Sequence, residues 1–137
     1  MRILVIAMLL HAVLASLLPM PWLVPDLTLL GMVIATARAP HRWLVYAGVA
    51  GCGMMLWAAR LPAPILLSYV VVGGAVRLAA TRWDLADRVV QRVLVGAATL
   101  GVSLAWLWLD DVWSCSLVAW VLGRALVTGL LVTQVSR

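Results

Sequence analysis

The chain has 137 residues, 66% of them apolar and only 11% charged, and its mean hydropathy is +1.12. No water-soluble domain of this size tolerates so much apolar surface, so the composition excludes a soluble enzyme or binding module and predicts an all-α integral membrane protein. The formal net charge of +5 would point to nucleic acid in a soluble chain; in a membrane chain it points to cytoplasmic loops or anionic headgroups, and no nucleic-acid partner is expected.

Backbone polar groups cannot stay unpaired in lipid, so apolar stretches of about 20 residues are read as helices, bounded by breaks in the pattern. Six spans are predicted: Ile3 to Leu18, Leu23 to Ala37, Trp43 to Ala59, Ile65 to Ala80, Val89 to Leu109 and Val112 to Val132. The first has the outline of a signal peptide, with Met1-Arg2 ahead of an apolar run and Val13-Leu14-Ala15 as a cleavage-like end. With further spans behind it, it serves equally well as an uncleaved helix. The first four spans hold 15 to 17 residues, ~22–26 Å at ~1.5 Å per residue, and need their flanks, a thinned bilayer or shelter within a bundle. Pro19, Pro21 and Pro25 interrupt the passage to the second span, Ala39-Pro40-His41-Arg42 ends it, Leu61-Pro62-Ala63-Pro64 separates the third from the fourth, and Asp110-Asp111 the fifth from the sixth. The stretch "RLAATRWDLADRVVQR" between the fourth and fifth spans is polar. In it Asp84 and Arg88 stand four apart in the favourable order, and Asp84 or Asp87 is placed to cap the fifth helix.

All the basic residues apart from two His are Arg, and all the acidic ones are Asp. In a six-span arrangement Arg2, Arg38, Arg42, Arg77, Arg82, Arg88, Arg92 and Arg137 fall on the side of the N-terminus, Arg60 falls opposite, and Arg124 lies within the last span. Short Arg-rich loops face the cytoplasm, so both termini are expected there. A five-span alternative with a re-entrant second segment would put Arg77 to Arg92 opposite Arg2, a poorer match. There is no convincing internal repeat, and a single transmembrane domain is expected over residues 1–137.

Charges within the bilayer cost about 2.5–3.5 kcal/mol each on insertion scales, which makes Arg124, Asp26 and the lone intramembrane His11 the polar candidates. Arg124 either snorkels toward the cytoplasmic side or meets a buried partner. Asp26, just after Pro25, is expected to start a helix at the membrane surface by accepting its free N–H groups. Its competing role is pairing with His11, plausible by depth, or with Arg124, which would require the second helix to begin deeper. For His11, a simple hydrogen bond is favoured over proton relay or metal binding. Small residues four apart, Ala47/Gly51, Gly48/Cys52, Ala97/Gly101, Ala119/Gly123 and Ala125/Gly129, are candidates for close helix approach, mostly within the bundle. Gly73-Gly74 in the fourth span either admits a neighbour in the same way or loosens the helix. Trp22, Trp43, Trp83 and Trp113 sit near span ends as an aromatic belt would, whereas Trp57, Trp106, Trp108 and Trp120 lie further in or near an interface. Cys52 and Cys115, without CxxC spacing, are read as small core residues. Asp110-Asp111 is read as a solvated turn rather than a metal site. No acid/base carboxylate pair, HExxH, nucleophile elbow or P-loop is present, so neither an enzyme, a catalytic residue, a metal nor a cofactor is expected.

Three stretches carry a resemblance. "LVPDLTLLGMVIATARAP" resembles the Pro-Asp-Leu segment, short helix and basic-Pro exit near the start of the rod shape-determining protein MreD family. "YAGVAGCGMMLWAARLPAPILLSYVVVGGAVR" is similar to the Gly-rich third helix, short turn and fourth helix of those proteins, and "RWDLADRVVQRVLVG" to their cytoplasmic loop leading into the fifth span. The motifs are mostly apolar, and the likeness covers roughly three quarters of the chain. One position departs: many members have Asp near the end of the third helix, where this chain has Trp57, so no role of that carboxylate transfers. The resemblance implies a six-transmembrane-helix bundle of the bacterial inner membrane, similar to the S-component fold of energy-coupling-factor transporters. It also implies a non-catalytic member of the cell-elongation machinery that associates with MreC and helps link MreB filaments to the RodA glycosyltransferase and its transpeptidase partner.

Two functions are therefore weighed. In the first, the chain is a scaffold whose small-residue faces and tryptophans receive partner helices, while Arg77, Arg82, Arg88 and Arg92 contact anionic lipid or a cytoplasmic partner; no small-molecule substrate is expected. In the second, it is the substrate-binding membrane component of a vitamin or metal transporter, with a pocket lined by His11, Asp26 and Arg124. Both require an even number of crossings. Reporter fusions at the two ends should report the same, cytoplasmic compartment, and opposite compartments would overturn the six-span reading.

Overall fold

The computed structural model describes residues 1–17, 24–58, 62–85, 87–109, 111 and 114–135. Pro19, Pro21, Trp22, Arg60, Leu61, Asp110, Trp113 and Arg137 lie outside the described residues, as does the side chain of Trp57. Described residues form six α-helices: α1 (Arg2–Leu17), α2 (Leu27–Arg38), α3 (Trp43–Ala58), α4 (Pro62–Ala80), α5 (Arg88–Leu109) and α6 (Cys115–Val135), with one 3-10 turn at Pro40–Arg42. No strand occurs among them. Three helices, α4, α5 and α6, are long and apolar enough to cross a membrane; α1 and α2 are shorter apolar helices.

Local chemistry sets the helix ends. Pro62 begins α4 because a first-turn residue has no intrahelical acceptor for an N–H, so the helix starts ahead of the predicted Ile65. Asp87 caps α5, its Oδ1 accepting from the Val89 N–H at 2.8 Å. Leu85 folds back into the core there, and its carbonyl accepts from the Gln91 side chain. Past α5, Asp111 takes φ 51°, a left-handed turn that Asp tolerates better than most residues. Ser114 then caps α6, its hydroxyl accepting from Leu117 N–H at 3.2 Å, so α6 starts at Cys115 rather than at the predicted Val112.

Neighbouring helices pair as hairpins, α1 with α2, α3 with α4 and α5 with α6, and α2 lies against all five others. Only 12 residues long, or ~18 Å at ~1.5 Å per residue, α2 is buried without interruption from Thr28 to Thr36. Leu29, Met32 and Val33 supply its bulk, and Leu4, Ala47, Ala50, Ile65, Tyr69, Val76 and Val95 complete the core around it. The interior also holds His11, Asp26, Thr28, Thr36, Thr99, Ser103 and Thr128, while the outer surface is dominated by side chains such as Leu9, Leu56, Leu67, Leu78, Leu126 and Leu130. An outer surface of large apolar side chains is unlike that of a water-soluble domain and suits lipid. Cys52 and Cys115 belong to that outer surface: both are exposed free thiols, not the small core residues expected from the sequence.

Close approach between helices uses some of the predicted glycines. A Cβ on Gly51 would lie 2.9 Å from Leu66 Cδ1 and 3.3 Å from Leu66 Cα, so α3 and α4 touch through it. A Cβ on Gly129 of α6 would lie 3.4 Å from the Arg92 carbonyl oxygen of α5. Gly48, Gly101 and Gly123 have open space where a side chain would be. The contact at Gly31, where a Cβ would fall 2.6 Å from Ala7 Cβ, has no counterpart among the expected small-residue pairs. Gly51→Leu should therefore lower the stability of the detergent-solubilised protein by about 1–3 kcal/mol. Gly48→Leu, three residues away on the same helix, should change it by less than about 0.5 kcal/mol. Thermal unfolding followed by circular dichroism distinguishes them, and equal losses would refute this α3/α4 packing.

Candidate functional site

At the start of α2 the chain brings together its buried charges. Asp26 is the N-cap residue: its Oδ1 accepts from the Leu29 N–H at 3.0 Å and its carbonyl from the Leu30 N–H at 3.0 Å. The N–H of Asp26 itself donates to Thr128 Oγ1 of α6 at 3.3 Å, and that hydroxyl donates in turn to the Arg124 carbonyl at 2.7 Å. One threonine hydroxyl thus ties the first turn of α2 to the middle of α6. The second carboxylate oxygen of Asp26 lies 3.9 Å from the Arg124 Nη2, too far for a hydrogen bond but close enough for an ion pair. Side-chain exposure is 6% for Asp26 and 18% for Arg124. The Arg124 guanidinium carbon also sits 5.7 Å from the centre of the Trp120 ring, within cation–π reach.

His11 of α1 and Tyr69 of α4 complete the cluster. Both are buried, both lie within electrostatic reach of Asp26 and Arg124, and the Pro25 carbonyl faces the His11 ring. His11 Nδ1 and Arg124 Nε are buried without a hydrogen-bond partner among the described residues. Four helices, α1, α2, α4 and α6, therefore converge on one polar node around the start of α2.

This geometry bears out one expectation and corrects another. Asp26 starts a helix, with its carboxylate buried in the bundle. The pair with Arg124, ranked below the one with His11, is the one that forms, because α2 begins at Leu27 instead of Leu23 and its first turn sits level with the centre of α6. His11 joins as a neighbour of both charges. Arg124 accordingly meets a buried partner rather than simply snorkelling. Two members escaped sequence reasoning. Thr128 stands four residues after Arg124 and hence on the same helical face, a spacing that could have marked it. Tyr69 lies in an apolar run with no local signal.

The remaining candidates lie elsewhere. Arg2 and Arg38 share a recess of about 380 Å³ with Tyr46. Arg77 stacks over Trp43 at 5.9 Å, so the end of α4 meets the start of α3. Arg82 and Arg88 are exposed and Arg92 is half-buried. Gly129 beside the Arg92 carbonyl brings the last turns of α6 to the same end of the bundle. Gly101 faces a cleft of about 780 Å³ between α4 and α5, and Gly48 and Gly123 border no neighbour. Among the described residues no group of three His, Cys, Asp or Glu is placed to hold a metal ion. Comparison of the chain with known protein families, with curated proteins and with solved structures finds no match in any of the three.

Chemically, the node is a partly compensated ion pair whose carboxylate also serves as a helix cap. Asp26→Asn keeps an acceptor for Leu29 and removes the charge; Asp26→Ala removes both, and should be the less stable by about 1 kcal/mol. Arg124→Leu should cost about 1–3 kcal/mol in the parent and distinctly less in an Asp26→Asn background. A double-mutant cycle by thermal unfolding in detergent measures this, and strictly additive losses would show that the two charges are not coupled.

Proposed function

We propose that the chain is a non-catalytic scaffold of the bacterial cell-elongation machinery, of the MreD type, embedded in the inner membrane by six helices with both termini in the cytoplasm. The observation that carries this reading is the cleft between α4 and α5. These helices barely touch, and the space between them is lined by Leu67, Val71, Ala75, Ala97, Gly101 and Ala105. Ala97, Gly101 and Ala105 repeat every four residues and form a small-residue stripe along α5, the surface on which a second helix backbone approaches closely. Leu67 and Val71 line it and are exposed, so the cleft opens outward from the bundle. A transmembrane segment of MreC, or of an enzyme linked to it, is the occupant we assign. The gathering of arginines at one end supports the orientation, and the short α2 behind Pro25-Asp26 supports the likeness to the Pro-Asp-Leu segment and short helix of the MreD family.

The convergence of His11, Asp26 and Arg124 favours a second reading, a membrane component that binds a vitamin or a metal ion for transport. Native mass spectrometry of the purified chain separates the two: a tightly retained small solute supports transport, and its absence with MreC retained supports the scaffold. Affinity capture in mild detergent should recover MreC and its associates, and depletion of the protein should round the cells. Gly101→Trp, which fills the cleft, should reduce MreC recovery by about tenfold or more. Isolation as a lone monomer from cells of normal shape would end the scaffold reading.

A further inference from the structure

On the opposite face of α5 a second groove, of about 370 Å³, runs along the crossing with α6. Its floor is Gly96 and Gly129, where the two backbones come together, and its walls include Leu100, Leu122, Leu126 and Leu130. Leu122, Leu126 and Leu130 are 49%, 69% and 62% exposed, so the groove opens sideways into whatever surrounds the bundle. One end differs from the rest. Arg92 lines it there, one turn after the exposed Arg88 on the same face, at the end of the bundle where the arginines gather. Arg92 Nε is buried and has no hydrogen-bond partner among the described residues. A buried guanidinium N–H left without an acceptor is costly, most of all beside hydrocarbon. Of the two carboxylates in the preceding loop, Asp87 is committed to capping α5, and neither Asp84 nor Asp87 lines the groove.

A groove of this kind fits a ligand with an anionic oxygen at one end and a hydrocarbon chain along its length. From Arg92 to Leu100, and again from Leu122 to Leu130, the walls run ~12 Å at ~1.5 Å per residue, most of one leaflet of a ~30 Å hydrocarbon core. With half the volume of the α4/α5 cleft, it holds a chain more readily than a helix, whose diameter is ~10 Å. We propose that the α5/α6 groove binds an anionic glycerophospholipid, its phosphate on Arg92 and Arg88 and one acyl chain lying between Leu100 and Leu126. The site requires that the bundle is embedded in lipid but does not rest on the scaffold reading.

Native mass spectrometry of the full chain in mild detergent tests this. The protein is titrated with palmitoyl-oleoyl phosphatidylglycerol and, separately, with phosphatidylcholine bearing the same chains. The first binding event should favour phosphatidylglycerol by about fivefold. Arg92→Gln should abolish that preference, Arg92→Lys should keep most of it, and Arg42→Gln, at the same end of the bundle but on the 3-10 turn before α3, should leave it unchanged. Leu126→Trp, which narrows the groove, should weaken binding of both lipids. The parent's helical circular dichroism, retained in each variant, establishes that binding and not folding has changed. Equal affinity of the parent for the two lipids would overturn the site. So would a loss with Arg42→Gln as large as with Arg92→Gln, which would mean diffuse surface charge, or displacement of phosphatidylglycerol by glycerol 3-phosphate alone, which would mean that the chain adds nothing.

Discussion

Hydrocarbon supplies no hydrogen bonds, so a carboxylate carried into the interior of an apolar bundle has to find its partners among the protein's own groups. The Asp26 carboxylate meets that requirement two ways, through the N–H of Leu29 and through the charge of Arg124, and the residue's own backbone N–H donates to the hydroxyl of Thr128. The placement of α2 follows from these contacts. Its first turn must sit where Arg124 is, near the middle of α6, and its twelve residues then reach only from that level to the arginine-bearing end. Everything that packs on α2, which is every other helix, is arranged around that constraint.

Between helices surrounded by lipid, apolar burial gives little driving force, because a leucine side chain loses nothing by facing an acyl chain. Contact quality and polar pairing have to hold the bundle together. The distribution of side chains agrees: threonine, serine, histidine and the ion pair are buried among the aliphatic core, and many further large aliphatic groups cover the outside. Glycine is spent where backbones meet, at Gly31 between α1 and α2, Gly51 between α3 and α4, and Gly129 between α5 and α6. Each hairpin thus has at least one such contact, while α4 and α5, which belong to different hairpins, stand apart and leave the cleft.

Helix positions were largely legible because proline, paired aspartates and the arginine-rich stretch punctuate the apolar runs, and because caps such as Asp26 and Asp87 are local signals. Depth was not legible. Leu23 and Val24 are as apolar as the helix that follows, so hydropathy extended the second span outward past Pro25-Asp26, and the resulting shift placed Asp26 at a boundary. Pairing across about a hundred residues leaves no trace in one sequence, which is why the Asp26–Arg124 contact was ranked low and Tyr69 was missed. The cysteines misled for a related reason: in an apolar helix a small residue faces lipid as readily as core, and residue type alone does not choose the side.

The link from Asp26 to Thr128 spans 102 positions of the chain. Synthesis proceeds from the N-terminus, so when α2 leaves the ribosome neither Thr128 nor Arg124 exists. The carboxylate must wait, near the headgroups or shielded by the translocation machinery, until α6 is delivered. Final seating of the second helix therefore follows the synthesis of α6, and a nascent chain interrupted before it would present an unseated acidic segment for proteolytic quality control to recognise.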